Sequence, residues 1–380
     1  MLLTLGLSAV AAFSPSPVVL RPSAQSTLRC NGPVDILSEK SSPLLWLEQQ
    51  APATTALQAM HLSMLAGGIL DAGAMDAGAA AIWHGFDALT FTHAPMFEAS
   101  LAVSAFVFWI VCFESLHLVL PNAERFRLDG SPPLRPLWGF GKHAHKSLVP
   151  AAAYLVSIFV LFAGHPFTLG HDLFDPLLGA RPDVWAEPSF GRIATEVSLG
   201  VFLYDLLFYP FHYSFHARRS AGNWRKLHSR HHEWGREPAA HNAIETVQNS
   251  YVDAGIQVAI NICVQQLSPW GHKHPLSRCL HNLMVTYLLS EAHSGYDLPF
   301  MSHRLFPNVF GGPVAHEAHH QHSAVCYHQF FTWIDRLNGW VPTDMQRAAM
   351  FTRAHAAARD VSDVDGAPAD ANSERHRAEE

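Results

Sequence analysis

Tyr204–Trp234 reads YDLLFYPFHYSFHARRSAGNWRKLHSRHHEW. Its first half is apolar and ends in His212 and His216, an H-x-x-x-H pair one helical turn apart, so both imidazoles face the same way. Asp205 and Tyr209 extend that stripe: at roughly 100° per residue the four positions fall within an arc of about 60°. A carboxylate at Asp205 is placed to orient a ligand histidine by accepting its free ring N–H. Past the basic residues Arg218, Arg219, Arg225, Lys226 and Arg230 the stretch closes on His228, His231 and His232, spaced H-x-x-H-H. On a helix the first and last two of these share a face while the adjacent pair diverges by about 100°, so one such cluster can address two metal ions. The stretch therefore reads as a membrane helix that leaves the bilayer into a set of metal ligands.

The H-x-x-H-H spacing returns roughly ninety residues downstream as His316, His319 and His320. With His212 and His216 the two triads offer eight candidate ligands. A tetrahedral zinc takes only four, so a two-metal site accounts for the number better. Spacing does not name the metal, since imidazole holds copper and zinc more tightly than ferrous iron. Iron follows only if the reaction requires redox chemistry. A histidine site at the lip of an apolar interior suits a lipid whose reacting carbon is an unactivated C–H, and breaking that bond needs activated dioxygen.

The rest of the chain supports a bilayer setting. Of 380 residues, 49% are hydrophobic and only 15% charged, and histidine, at 26, outnumbers lysine and arginine together. A net charge of −7 with no basic, aromatic-interleaved stripe excludes a nucleic-acid surface. The five cysteines are scattered and never spaced C-x-x-C, so neither a disulfide framework nor a zinc ribbon is indicated. Ala99–Leu120, Ser147–Gly164 and Ile193–Phe211 approach the ~20 residues of a spanning helix. Tyr251–Leu267 and Leu280–Ser290 are shorter or more polar. Thr54–Trp83, interrupted by Asp71 and Asp76, is an uncertain helix or a surface segment. The predicted class is all-α, a multi-pass helix bundle with a cytoplasmic histidine-rich di-metal cap.

Loop charge orients it. Arg125, Arg127, Arg135, Lys142 and Lys146 make 121–146 cytoplasmic by the positive-inside rule, whereas 165–192, with two arginines against four acids, lies on the other side. Lys273 and Arg278 in the loop 268–279 argue that the last two apolar windows fail to cross or cross as a short pair, leaving all histidine clusters on one face. At the ends, 1–12 resembles a signal sequence, 13–53 a transit-like leader of the complex-plastid kind, and 346–380 a solvated tail. Residues 54–96 form a peripheral region and 97–345 the membrane domain. An endoplasmic-reticulum location fits the chain, with a complex-plastid membrane as the alternative.

The order H-x-x-x-H, H-x-x-H-H, H-x-x-H-H resembles the fatty acid hydroxylase and sterol desaturase superfamily of membrane di-iron enzymes. The likeness sharpens over HPLSRCLHNLMVTYLLSEAHSGYDLPF (His274–Phe300), SHRLFP (Ser302–Pro307), GGPVAHEAHHQH (Gly311–His322) and FFTWIDRLNG (Phe330–Gly339). There it is similar to the cholesterol 25-hydroxylase and sterol 4-methyl oxidase branch. The resemblance implies that His212, His216, His228, His231, His232, His316, His319 and His320 ligate iron, with His293 a ninth ligand and Asp297 a supporting carboxylate. It implies two Fe2+ ions, O2 as cosubstrate, a sterol or acyl lipid as substrate, and hydroxylation or, on the same site, desaturation. Two electrons per turnover come from an external donor of the cytochrome b5 type, as no flavin, nucleotide or haem motif is present. Two departures, Cys326–Tyr327 where many members have Asn-Tyr and Trp340 after Gly339, are expected beside the substrate pocket.

Other readings compete with this one. HEAHH (His316–His320) is literally H-E-x-x-H, the zinc-protease signature with Glu317 as base, but it leaves the remaining histidines unexplained. A metal transporter would need ionisable residues near the midplane of several helices, and here they sit mostly at the ends. GFGKHA (Gly139–Ala144) mimics a dinucleotide fingerprint without a preceding strand. His143, His145, His272, His274, His322 and His328 read as interfacial or supporting residues.

Overall fold

The computed structural model describes residues 59, 71–94, 96–120, 123–128, 144–163, 186–216, 222–229, 231–232, 242–322 and 325–341. The signal-like segment, the leader, His143 and the tail 346–380 lie outside them. Among the described residues there is no strand, and three isolated bridges are the only extended pairings.

Helix α1 (Ala72–Asp87) starts where Asp71 Oδ1 accepts the Ala74 N–H at 3.0 Å. The two acids that argue against a helix here instead serve helix starts: Asp76 Oδ1 accepts the Phe190 N–H at 2.8 Å, at the first residue of α4. Helix α2 (Phe97–Glu114) buries Ala99, Ala102, Ala105, Phe106, Ile110 and Phe113 and turns Val107, Phe108 and Val111 outward. Helices α3 (Ala144–Ala163) and α4 (Phe190–His216) follow. An apolar side chain on the outer face is what a lipid-facing helix requires. Among the described residues two helices, α2 and α4, are long and apolar enough to cross a membrane, with mean hydropathy of 1.7 and 1.2. Tyr251–Leu267 is helix α6 (Tyr251–Gln265) and Leu280–Ser290 is helix α7 (Pro275–Ala292), after the short α5 (Gly222–Ser229). Ser250 caps α6 and His274 caps α7, with Pro275 at the first helical position where no N–H is needed. Helix α8 (Gly312–His322) carries the last histidines.

Helix α7 is the centre of the bundle, packed against α2 and α4, while α6 lies against α4 and α3. One core unites Phe106, Tyr154, Tyr204, Phe208, Val258 and Leu289. The turn joining α6 to α7 sits on the N-terminal end of α4: the His274 N–H donates to Glu196 Oε2 at 3.0 Å and Arg192 Nη2 donates to the His272 carbonyl at 3.1 Å. This corrects the charge reading of 268–279. Lys273 is buried and Arg278 pairs with Glu98 at 2.9 Å, so neither is a solvated loop charge that reports a membrane face. The α6–α7 hairpin instead runs beside α4 with its turn at the end remote from His212 and His216.

Candidate metal centre

The site forms where five segments end together. Helix α4 runs on past its apolar window, so His212 and His216 occupy its last turn, just after Pro210, which cannot donate the usual i→i−4 bond. Helix α5 closes at Ser229 with His228 on its final turn, and His231 and His232 stand in the following turn, the His231 N–H donating to the His228 carbonyl at 3.0 Å. The first H-x-x-H-H is thus half helix and half turn, whereas the second lies wholly on α8. His293 is the residue that ends α7.

These nine side chains fall into two groups, His212, His216, His228, His232 and His319 in one and His231, His293, His316 and His320 in the other, each with ligand nitrogens within 4.8 Å of one another. The adjacent pairs His231/His232 and His319/His320 divide between the groups. All but the half-buried His216 are buried.

The hydrogen bonds fix which nitrogen faces inward. His212 Nδ1 donates to the Tyr327 carbonyl at 2.6 Å, His228 Nδ1 to Asp253 Oδ2 at 2.7 Å, His293 Nδ1 to the Leu289 carbonyl at 2.8 Å and His319 Nδ1 to the Val325 carbonyl at 2.8 Å. A neutral imidazole that donates at Nδ1 has only a lone pair at Nε2. Nε2 of His212 and Nε2 of His228 nevertheless approach to 3.1 Å, lone pair against lone pair. In the second group the Nε2 atoms of His293 and His316 stand 2.8 Å apart, those of His231 and His293 3.1 Å, and those of His316 and His320 3.0 Å. Ligands at right angles around an ion bound at about 2.1 Å lie about 3 Å apart, so the residues fit a cation in each group. His232, buried with no partner at either nitrogen among the described residues, points the same way. Burial first, then the surrounding imidazoles of His228, His319, His231 and His216, hold its pKa well below the usual histidine range, in the neutral form a metal ligand must have.

The supporting residues differ from expectation. Asp205 does not meet a ligand histidine. Its carboxylate accepts His328 Nδ1 at 2.5 Å and the N–H groups of Gln329, Phe330 and Phe331 at 2.9–3.2 Å, pinning the loop after Tyr327. Asp205 therefore acts on His212 through the backbone, by fixing the segment whose carbonyl receives it. Tyr209 packs on His328, its hydroxyl without a partner among the described residues, and Asp297 is bound by Arg304 and, at 2.9 Å, by His303 Nε2 rather than by a candidate ligand. The carboxylate that does bond one of the candidate ligands is Asp253, which nothing in the histidine motifs signals; its position in the first turn of α6, after the Ser250 cap, brings it against His228. The two sequence departures also find a place. Trp340 stacks on Tyr213 with ring centroids 5.1 Å apart and its carbonyl receives the Cys326 N–H, so both lie behind His212 and form part of the ligand support. Glu317, the base of the protease reading, accepts Gln321 Nε2 at 2.7 Å, and its two flanking histidines belong to a four-histidine group.

Residues 197–339, which contain all nine histidines, match the family model for fatty acid hydroxylase. A cholesterol 25-hydroxylase-like protein of Danio rerio is 27% identical over 153 residues, 40% of this chain and 57% of that protein. The cholesterol 25-hydroxylase of Mus musculus is 24% identical over 66% of this chain and 77% of its own length, and that of Homo sapiens 23% over 66% and 85%. The match thus spans little more than half of the first of these relatives. No solved structure is significantly similar to the chain.

Proposed function

We propose, from the premise that residues 197–339 form a domain of the fatty acid hydroxylase and sterol desaturase superfamily, that this chain is a membrane lipid hydroxylase with a di-iron centre. The observation that carries the reading is the pair of imidazole groups with ring nitrogens about 3 Å apart, and in the first of them His212 and His228 stand lone pair against lone pair, a geometry that a shared cation relieves. A pair of bound iron ions would supply the activation of O2 that an unactivated C–H bond requires. The nine imidazoles would hold those ions without anionic ligands, and the burial of all but His216 would keep water from the reacting carbon. Electrons reach the site from an external donor of the cytochrome b5 type, and the bundle crosses the membrane several times, in the endoplasmic reticulum or a plastid-derived membrane. The substrate is a sterol in preference to an acyl lipid, in keeping with the cholesterol 25-hydroxylases among the relatives.

The test is purification from a sterol-defined host, followed by metal analysis and incubation with O2, a reductant system and labelled sterols or acyl lipids. Two iron ions per chain and an oxygenated sterol are expected. One tightly held zinc sinks the di-iron reading, and oxidation of acyl lipids alone overturns the substrate. Glu317→Gln separates the classes, because it preserves the histidine set while removing the base a protease would need.

A further inference from the structure

A second concentration of buried polar groups lies at the opposite end of the bundle. Lys273 Nζ, Ser277 Oγ, His281 Nδ1, Asn282 Nδ2 and Gln265 Oε1 are buried and have no hydrogen-bond partner among the described residues. Two of them meet at one point. A Cβ at Gly200 would collide with both His281 Nδ1 and Lys273 Nζ, so these two atoms converge on the face of α4 that the glycine leaves bare. His281 Nε2 bonds Asn261 Oδ1 at 2.9 Å, Asn261 Nδ2 reaches Asn282 Oδ1 at 3.0 Å, and Gln265 Nε2 reaches the same oxygen at 2.8 Å. The rest of this region is matched: Glu196 takes Arg192, Ser268 and the His274 N–H, and Glu98 takes Arg278. Unmatched buried polar groups are rare in folded proteins, so five in an otherwise paired network mark a place built for something polar.

Its distance from the metal centre is set by three helices at once. Twelve residues separate Gly200 from His212 on α4, Gln265 from Asp253 on α6 and His281 from His293 on α7, about 18 Å of helix in each case. A sterol laid out from its ring hydroxyl to the tip of its side chain has this length. To present that tip to the histidines, such a molecule must carry its hydroxyl deep among the helices, where an unpaired hydroxyl is costly.

We propose that the Gly200–Lys273–His281–Asn282 cluster is a second binding site, which holds the hydroxyl of the lipid substrate so that the oxidised carbon lies at the remote end of the molecule. The proposal rests on the sterol hydroxylase reading and narrows it: a ring methyl beside the hydroxyl would be held at the wrong end. A hydroxyl suits the donors and acceptors present, accepting from Lys273, Ser277 or Asn282 and donating to His281 Nδ1 or Gln265 Oε1. Burial first, and then Arg278, bring the Lys273 amine down to about 7, against the pull of Glu196 and Glu98, which matches it to a neutral partner better than to a carboxylate.

The test compares binding of cholesterol and of its deoxy analogue cholestane, as tritiated ligands, to the purified full chain, for wild type, Lys273→Met and Gly200→Ala. In wild type the hydroxyl should improve affinity about ten- to a hundredfold, the worth of one buried hydrogen bond with its orphaned partner. In both variants the preference should fall to within about threefold while metal content stays at the wild-type value. A preference that survives both substitutions overturns the proposal, as does an absence of preference in wild type, which would leave the cluster to buried water. Tighter retention of a long-chain fatty acid than of cholesterol, lost in Lys273→Met, would make it a carboxylate site instead and also overturn it. Binding is read without turnover. Failure to oxidise any sterol would therefore refute the sterol reading while this comparison still judged the site.

Discussion

Removing the carboxylate of Asp253 should loosen the five-histidine group selectively. In the folded protein Asp253 Oδ2 accepts His228 Nδ1 at 2.7 Å with both side chains buried, and Oδ1 receives Gln257 Nε2 at 3.0 Å. A charge-assisted bond of this kind is worth about 1.5–3 kcal/mol, and it keeps the proton on Nδ1 so that Nε2 presents its lone pair. At about 1.4 kcal/mol per decade, Asp253→Ala should weaken one ion about ten- to a hundredfold and leave the other, held by His231, His293, His316 and His320, unchanged. Asp253→Asn keeps an acceptor without the charge and should fall between. The assay is competition with a graded chelator on detergent-purified protein, with metal counted per chain. Two ions held at wild-type affinity in Asp253→Ala would refute the reasoning, as would loss of both together at the same chelator strength in Asp253→Asn.

Chelation of wild type should lower the melting temperature, because it returns the facing lone pairs and the unpartnered His232 to the interior; an unchanged melt would show that the imidazoles do not share cations. The Asp205–His328 pair should make stability fall as pH rises. Burial opposes charge on His328, but the Asp205 carboxylate at 2.5 Å and then Asp335 outweigh it and raise its pKa, so the contribution is complete below the ordinary value of about 6.5 and lost as pH climbs through the raised one. Melting curves across that window should show the slope, and Asp205→Asn should flatten it. Single cysteines placed at Trp270 and at Ser229, both exposed, should label from opposite sides of sealed vesicles, since the first lies by Arg192 and the second by the metal centre; labelling from one side would mean that α4 does not cross.

Much of this was legible because helical period and ligand chemistry are local properties of a sequence. The stripe ending in His212 and His216 required only a helix continuing to His216, and apolar Ile193–Phe211 supplies it. The nine histidines that gather in two groups could be picked out for the same reason, since paired and triple histidines have few other uses at such spacing. The partners of those ligands were not legible. Asp205 shares the stripe with His212, yet three N–H groups and His328, more than 120 residues away, compete for its oxygens and win. Asp253 stands on no motif, and only the packing of α6 against α4 brings it under His228. Lys273 misled for a related reason: a lysine in a short loop reads as solvated until its burial against α4 is seen.

The division of neighbouring histidines between the two groups imposes an order on biogenesis. The chain emerges from the ribosome N-terminus first, and α8 is the last element to bring ligands. Before Gly312 has been made, the first group already owns four of its five imidazoles, His212, His216, His228 and His232, whereas the second owns only His231 and His293. A nascent chain at that stage could offer four imidazoles to one cation and only two to the other. The arrival of α8 adds His319 to the first group and His316 and His320 to the second in a single docking event, so a cation in the second group would wait for α8 to be seated. Occupancy of the four-histidine group would then be a record that α8 has docked.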